Sequence, residues 1–236
     1  MFPIFSSLQR AVLLSLGGLV LPGILVAGTA TSTPAVQQSG TMLVAEAAAV
    51  AGPATRLTDQ EIRQVVKNLQ SLPPGEAALR ARIIRAANGE IGTREHGDNC
   101  QKYSGTCGSQ WCGVFIHWVW HKAGATKLPT LTPPKGKPTH SAWWATFWGQ
   151  WGAKHDRFKP NDPDMPTPGD AIVYGARGAD GHIGMVLRVH ADGTLTTSEG
   201  NYGDMVSRRH IDPKTAVGGA RNKHVHGYVS PVRING

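Results

Sequence analysis

The sequence predicts an α+β fold, with helices first and an antiparallel sheet after them. Up to residue 151 the apolar positions recur at helical spacing, whereas beyond Pro168-Gly169-Asp170 the runs become strand-like. Asp192-Gly193 sits between two of those runs and is a strong hairpin signal. The composition agrees, because 29 Gly and 16 Pro among 236 residues indicate short elements joined by many turns, not a helical bundle or coiled coil. With 40% hydrophobic and 17% charged residues, the chain is not disordered throughout. Its length suits one domain of about 150 residues plus leader material. No internal period of about 20 to 50 residues is visible, which sets repeat architectures aside.

The elements follow in order. Arg10 precedes a short apolar run over residues 11–21, broken by Gly17 and Gly18 and followed by Pro22, Gly23 and the small residues Ala27-Gly28-Thr29-Ala30. Residues 1–30 therefore read as a signal peptide and not as a membrane anchor. No Cys lies near the cleavage region and no twin-Arg pair precedes the run, so the mature protein is expected to be secreted into the envelope or medium without an anchor. Removing residues 1–30 takes away one Arg and no acid, which changes the net charge from +8 to +7. That excess suits nucleic acid, anionic lipid or a polyanionic wall polymer, and charge alone does not choose among them. Residues 31–56, rich in Ala, Thr, Ser, Gln, Val and Gly, are expected to form a flexible linker.

Thr58-x-x-Glu61 is a capping box ahead of Ile62, Val65, Val66 and Leu69, a helix that should end before Pro73-Pro74. Leu79, Ile83, Ile84 and Ala87 predict a second helix, with Gly89 as its stop. Residues 92–108 read as a polar surface loop. Residues 112–124 are apolar on nearly every face, which predicts a central buried helix closed by Gly124. Residues 141–151 predict another helix, whose Trp143, Trp144, Trp148 and Trp151 are expected to be core, not a ligand platform. Strands are expected at 171–174, 182–190, 194–199, 205–210 and 226–229.

Three cysteines in an exported chain leave one over. A Cys100–Cys107 disulfide would close a loop of about eight residues and contribute roughly 2.5 kcal/mol by restricting the unfolded chain. Cys112 would then be free at the start of a helix, where unpaired N–H groups and the dipole favour a thiolate. A thiolate nucleophile needs a base for its proton, and that base needs a polar partner to fix its tautomer. His182 opens one strand and Glu199 closes the next. A hairpin at Asp192-Gly193 makes the two neighbours, with Asn201 just beyond.

Gln110-Trp111-Cys112-Gly113-Val114-Phe115, Pro168-Gly169-Asp170, Gly181-His182-Ile183 and Ser198-Glu199-Gly200-Asn201 resemble, in order, the motifs of the CHAP family of cysteine- and histidine-dependent amidohydrolases and peptidases. The resemblance covers roughly residues 80–235. It implies a papain-like fold and cleavage of peptidoglycan, within its peptides or at the muramoyl-L-alanine amide. By position, Cys112 matches the nucleophile, His182 the base, Glu199 the residue orienting it, and Asn201 an accompanying catalytic polar residue. The Gln110 side chain and the Cys112 backbone N–H are candidate oxyanion donors by analogy with papain-like enzymes. On this reading residues 57–79 form an N-terminal helical extension and residues 80–236 the catalytic domain.

Other signals are weaker. His117 and His121 lie one helical turn apart, but Trp118 stands where a zinc protease would carry Glu and no third ligand is evident. Asp98 and Asn99 lack the alternating acids of a calcium loop. Gly136-Lys137-Pro138-Thr139 lacks the upstream Gly of a phosphate loop. Tyr103 is expected to be ordinary loop packing. No metal or cofactor is expected, and the expected partner is peptidoglycan, with neither nucleic acid nor a stable membrane attachment, for a monomeric protein. The competing readings are a non-catalytic wall-binding module and a secreted protease acting on proteins.

Overall fold

The computed structural model of the chain describes residues 52–132, 141–178 and 181–234. The expected signal peptide, most of the expected linker and the Gly136–Thr139 stretch lie outside the described residues. Helix α1, Asp59–Asn68, begins at the capping box: Glu61 N donates to Thr58 Oγ1 at 3.2 Å, and Thr58 N donates to the Glu61 carboxylate at 2.7 Å. A short 3₁₀ turn, Leu69–Ser71, leads to α2, Pro74–Glu90, which starts on proline, as suits a position whose N–H has no helical partner.

Gly89 does not stop α2. The last turn is held from outside, because the buried Asn88 amide accepts from Leu57 N at 2.7 Å and donates to Leu57 O at 3.1 Å. The chain leaves the helical direction at Gly92 instead, with φ of 89° and its N–H on Val206 O. Residue 80, the expected start of the catalytic domain, falls within α2. Helix α3, Cys112–Ala123, ends at the left-handed Gly124, as its sequence predicted. Helix α4, Ala145–Lys154, begins later than the tryptophan pattern suggested, since Ser141 Oγ takes the N–H groups of Thr132 and Trp143 and holds that stretch as a turn.

Among the described residues seven antiparallel strands follow: β1 Phe158–Pro160, β2 Ala171–Tyr174, β3 His182–Val189, β4 Leu195–Glu199, β5 Ser207–Ile211, β6 Val217–Gly218 and β7 Lys223–Val229. Their order is β1-β7-β2-β3-β4-β5, with β6 paired to β7. This is the predicted α+β arrangement, and β1 and β6 are too short for an alternating pattern to reveal. The helices pack on one face, where Ile83, Val114, Phe115 and Trp120 meet Val173, Ile183 and Met185. The other face gathers Ile172, Tyr174, Val186, Leu195 and Tyr228.

A buried charge network ties α2 to the start of β2. The Arg80 guanidinium lies 2.7 Å from Asp170 Oδ1 and 2.7 Å from Glu76 Oε1, and it also donates to Pro168 O and Ser230 Oγ. Asp170 Oδ2 accepts from Lys159 Nζ at 2.8 Å and Thr167 N at 2.9 Å. Pro168-Gly169-Asp170 is thus the seat of the sheet on the second helix.

Candidate active site

Cys112 is the first residue of α3, and the first-turn N–H groups of a helix have no partner within it. Trp111 precedes it without a side-chain cap; its indole donates instead to Glu95 at 2.7 Å, fixing the entry to the helix. Gly113 lets that entry lie against residues 142–143. A Cβ there would fall 2.1 Å from Ala142 O and 2.9 Å from Trp143 O, distances no side chain tolerates. This close approach brings the segment carrying Trp143 and Trp144 beside Cys112. With His182, Asn201 and Tyr202, these residues line a cleft of about 660 Å³.

Cys100 and Cys107 form the expected disulfide, and Cys112 is free and buried. Among the described residues no group of three or more His, Cys, Asp or Glu could hold a metal. His117 and His121 only stack, with ring centres 6.4 Å apart. Tyr103 is packed as expected, its hydroxyl donating to Glu90 at 3.0 Å.

His182 opens β3 opposite Tyr174 of β2. The hairpin forms as predicted, but His182 and Glu199 are diagonal and not directly opposed. Met185 pairs with Ser198, so continuing that register sets Glu199 against Gly184. The Glu199 side chain crosses the space that a Cβ at Gly184 would occupy, only 2.6 Å from Glu199 Cγ, and its Oε2 lies 3.0 Å from His182 Nε2. The other ring nitrogen, Nδ1, is left clear of Glu199, and the Cys112 thiol, which lines the same cleft as His182, acts on the ring electrostatically.

Glu199 is completely buried and fully partnered. Oε1 accepts from Tyr174 at 2.9 Å and Thr197 at 2.8 Å, while Oε2 faces both His182 and Arg209, the latter at 2.9 Å. Burial opposes ionisation of Glu199, yet His182 and Arg209 overcome it and hold the carboxyl well below its usual range. Burial likewise opposes the imidazolium, but Cys112 and Glu199 outweigh it and raise His182 from 6.5 to about 10. The proton therefore rests on His182 through the neutral range.

The sign gives a test. The imidazolium is the form of His182 that can donate a proton, and it is lost as the pH rises through its raised value. Activity should thus fall on the alkaline side near pH 10, as read from His182. Glu199→Gln removes the negative charge and should move that limb toward 6.5, lowering kcat with little change in KM. A pH profile of kcat for both proteins checks it, and an unmoved alkaline limb would remove Glu199 from this role.

The other two candidate residues meet each other. Asn201 Nδ2 donates to Gln110 Oε1 at 2.8 Å and Asn99 Oδ1 at 3.1 Å, and Gln110 Nε2 reaches Asn99 Oδ1 at 3.5 Å. Asn201 therefore contacts the candidate oxyanion donor and not His182. Arg209, Tyr174, Thr197 and Tyr202 were not singled out by the sequence. Alternation along β5 from Ser207, which pairs with Glu199, is the signal that could have found Arg209.

A thiol on a helix start facing an imidazole on a strand, backed by a buried carboxylate, defines a cysteine–histidine site of the kind that attacks carbonyl carbons. The family model of the CHAP domain matches residues 103–201, with Cys112, His182, Glu199 and Asn201 inside the match. No curated protein and no solved structure matches the chain. The CHAP domain points to peptidoglycan hydrolase or amidase-type activity, and together with the disulfide to an extracellular protein acting on peptidoglycan. Among the described residues no helix is long and apolar enough to cross a membrane.

Proposed function

We propose that the protein is a secreted cysteine-dependent hydrolase of peptidoglycan amide bonds, with residues 1–30 as its export signal, residues 31–56 as a linker and residues 57–79 as a helical extension of the catalytic domain. The observation that carries this reading is that Cys112 and a His182 held by Glu199 at 3.0 Å line the same cleft. A module that only bound the wall would need none of the three.

In the proposed reaction, Cys112 Sγ bonds to the amide carbon and the carbonyl π electrons pass to oxygen. The C–N bond then breaks, and the proton on His182 goes to the departing nitrogen, leaving a thioester. Water attacks the thioester while His182 takes its proton, and cleavage of the C–S bond returns the Cys112 thiolate and the imidazolium. The developing oxyanion is met by the Cys112 N–H and the Gln110 amide, which Asn201 and Asn99 hold from behind.

Gln110→Ala should cost about 10²-fold or more in kcat, as loss of an oxyanion donor does. Asn201→Ala should cost less than either Gln110→Ala or Glu199→Gln and add little to Gln110→Ala in the double variant. Both should keep the alkaline limb of the wild type, since neither side chain touches His182. A full additive loss in the double variant would separate Asn201 from Gln110.

Mass spectrometry of digested peptidoglycan identifies the bond. Sugar-free intact stems mark an amidase; shortened or uncrosslinked stems mark an endopeptidase, to which the reading leans slightly. Binding without release, or cleavage of casein but not of peptidoglycan, would overturn the proposal.

A further inference from the structure

This inference rests on the reading of Cys112 and His182 as the reacting pair. We propose that Arg209 is a positioning residue for that pair, keeping Glu199 oriented and charged during the interval in which His182 has given up its proton. Arg209 lies beyond the matched residues 103–201, on β5, where it pairs with Thr197 and so falls two positions along the same sheet face from Glu199. Its Nη1 donates at 2.9 Å to the same carboxylate oxygen that faces His182 Nε2 at 3.0 Å.

The guanidinium is itself held on three sides. Nη2 donates to Val217 O at 3.2 Å, Nη1 lies 3.5 Å from the Tyr174 hydroxyl, and the charge sits 4.4 Å above the Tyr202 ring. Only 16% of the side chain is exposed, against none of Glu199. Such anchoring suits a group whose task is geometry.

The need for a second cation follows from the proton count. When the C–N bond breaks, the His182 proton leaves with the amine and the imidazole becomes neutral. Without Arg209, Glu199 would then face only neutral donors, the His182 Nε2–H and the hydroxyls of Tyr174 on β2 and Thr197 on β4, and a buried carboxylate without a counter-charge takes up a proton. A protonated Glu199 would no longer draw the next proton onto His182 when water attacks the thioester. Arginine does not titrate in this range, so Arg209 spans both states of the histidine. The remaining groups facing His182 are Cys112 from α3 and the rings of Tyr174 on β2 and Tyr202, which lie 5.6 Å and 5.8 Å from the imidazole.

The test compares wild type, Arg209→Gln and Arg209→Lys in two measurements: the pH dependence of Cys112 alkylation by iodoacetamide, and kcat on peptidoglycan. Cys112 is the one unpaired thiol of three cysteines, so the alkylation reads the pair without any substrate. Without the cation Glu199 is protonated at higher pH, and the support it gives the imidazolium is lost there. The acid limb of alkylation in Arg209→Gln should therefore move to higher pH by about one unit, and Arg209→Lys should recover part of the shift. The kcat should fall about tenfold or more with KM little changed.

An acid limb in Arg209→Gln that superimposes on the wild type overturns the proposal. So does a limb displaced equally in Arg209→Lys, because a retained charge must recover part of it. Should Arg209→Gln fail to fold, the comparison of wild type with Arg209→Lys decides: the lysine limb must lie above that of the wild type, by less than the full unit, and a superimposed limb overturns the proposal. A wild type that alkylates as described yet hydrolyses no peptidoglycan sinks the proposed function alone and leaves Arg209 to be judged by the limb.

Discussion

Cys112→Ala and His182→Ala are each expected to lower kcat on peptidoglycan by about a thousandfold or more while leaving the fold intact, and the double variant should be no slower than the worse single one. The two side chains act as one proton-sharing unit, so removing either leaves nothing for the other to do. Both lie at element starts, Cys112 at the first turn of α3 and His182 at the first residue of β3, where the backbone geometry does not depend on them. Glu199 keeps Arg209, Tyr174 and Thr197 when the imidazole is removed, so no bare buried charge is created. Steady-state kinetics with thermal unfolding of each variant checks this. More than about a tenth of the wild-type rate in Cys112→Ala would remove the nucleophile from the mechanism.

The largest effect on stability should come from Asp170→Ala. Arg80 is 1% exposed, and Asp170 is the fully buried partner of both it and Lys159. Removing one member of a buried pair strands the other, at a cost of about 3–5 kcal/mol. Glu76 offsets part of this for Arg80, but it cannot replace the contact between α2 and the start of β2. Urea unfolding measures it. A loss below about 1 kcal/mol would mean that the network is no more than a surface pair.

Much of the fold was legible because particular residues admit one local solution. The four residues of β2 are all buried and follow a Pro-Gly-Asp turn, and α3 is apolar throughout and closes on Gly124, so both could be placed from sequence. The end of α2 could not. A glycine at position 89 reads as a stop only until Asn88 is seen bonded to Leu57, which is remote in sequence. The tryptophans are core as expected at Trp143, Trp148 and Trp151, with Trp144 partly buried against them, but Trp143 and Trp144 also line the cleft, because Gly113 admits the backbone of residues 142–143.

The site was legible to the extent that its motifs are local. Cys112, His182 and Glu199 could be named from their places at element ends, and the structure brings them together. How they meet depends on register: Glu199 reaches His182 diagonally across Gly184. Arg209 depends on the next pairing along the sheet, and the Gln110–Asn201 contact joins residues 91 positions apart. Neither relation has a periodicity of its own in the sequence.

The most direct measurement is the digestion of purified peptidoglycan by the wild-type protein and by Cys112→Ser, assayed in parallel for new amino groups and for new reducing sugar ends. The wild type should release amino groups and no reducing ends, and Cys112→Ser, nearly isosteric but lacking the thiolate, should release neither. Reducing ends from the wild type, or amino groups from Cys112→Ser at an undiminished rate, would contradict a thiol-dependent amide hydrolase.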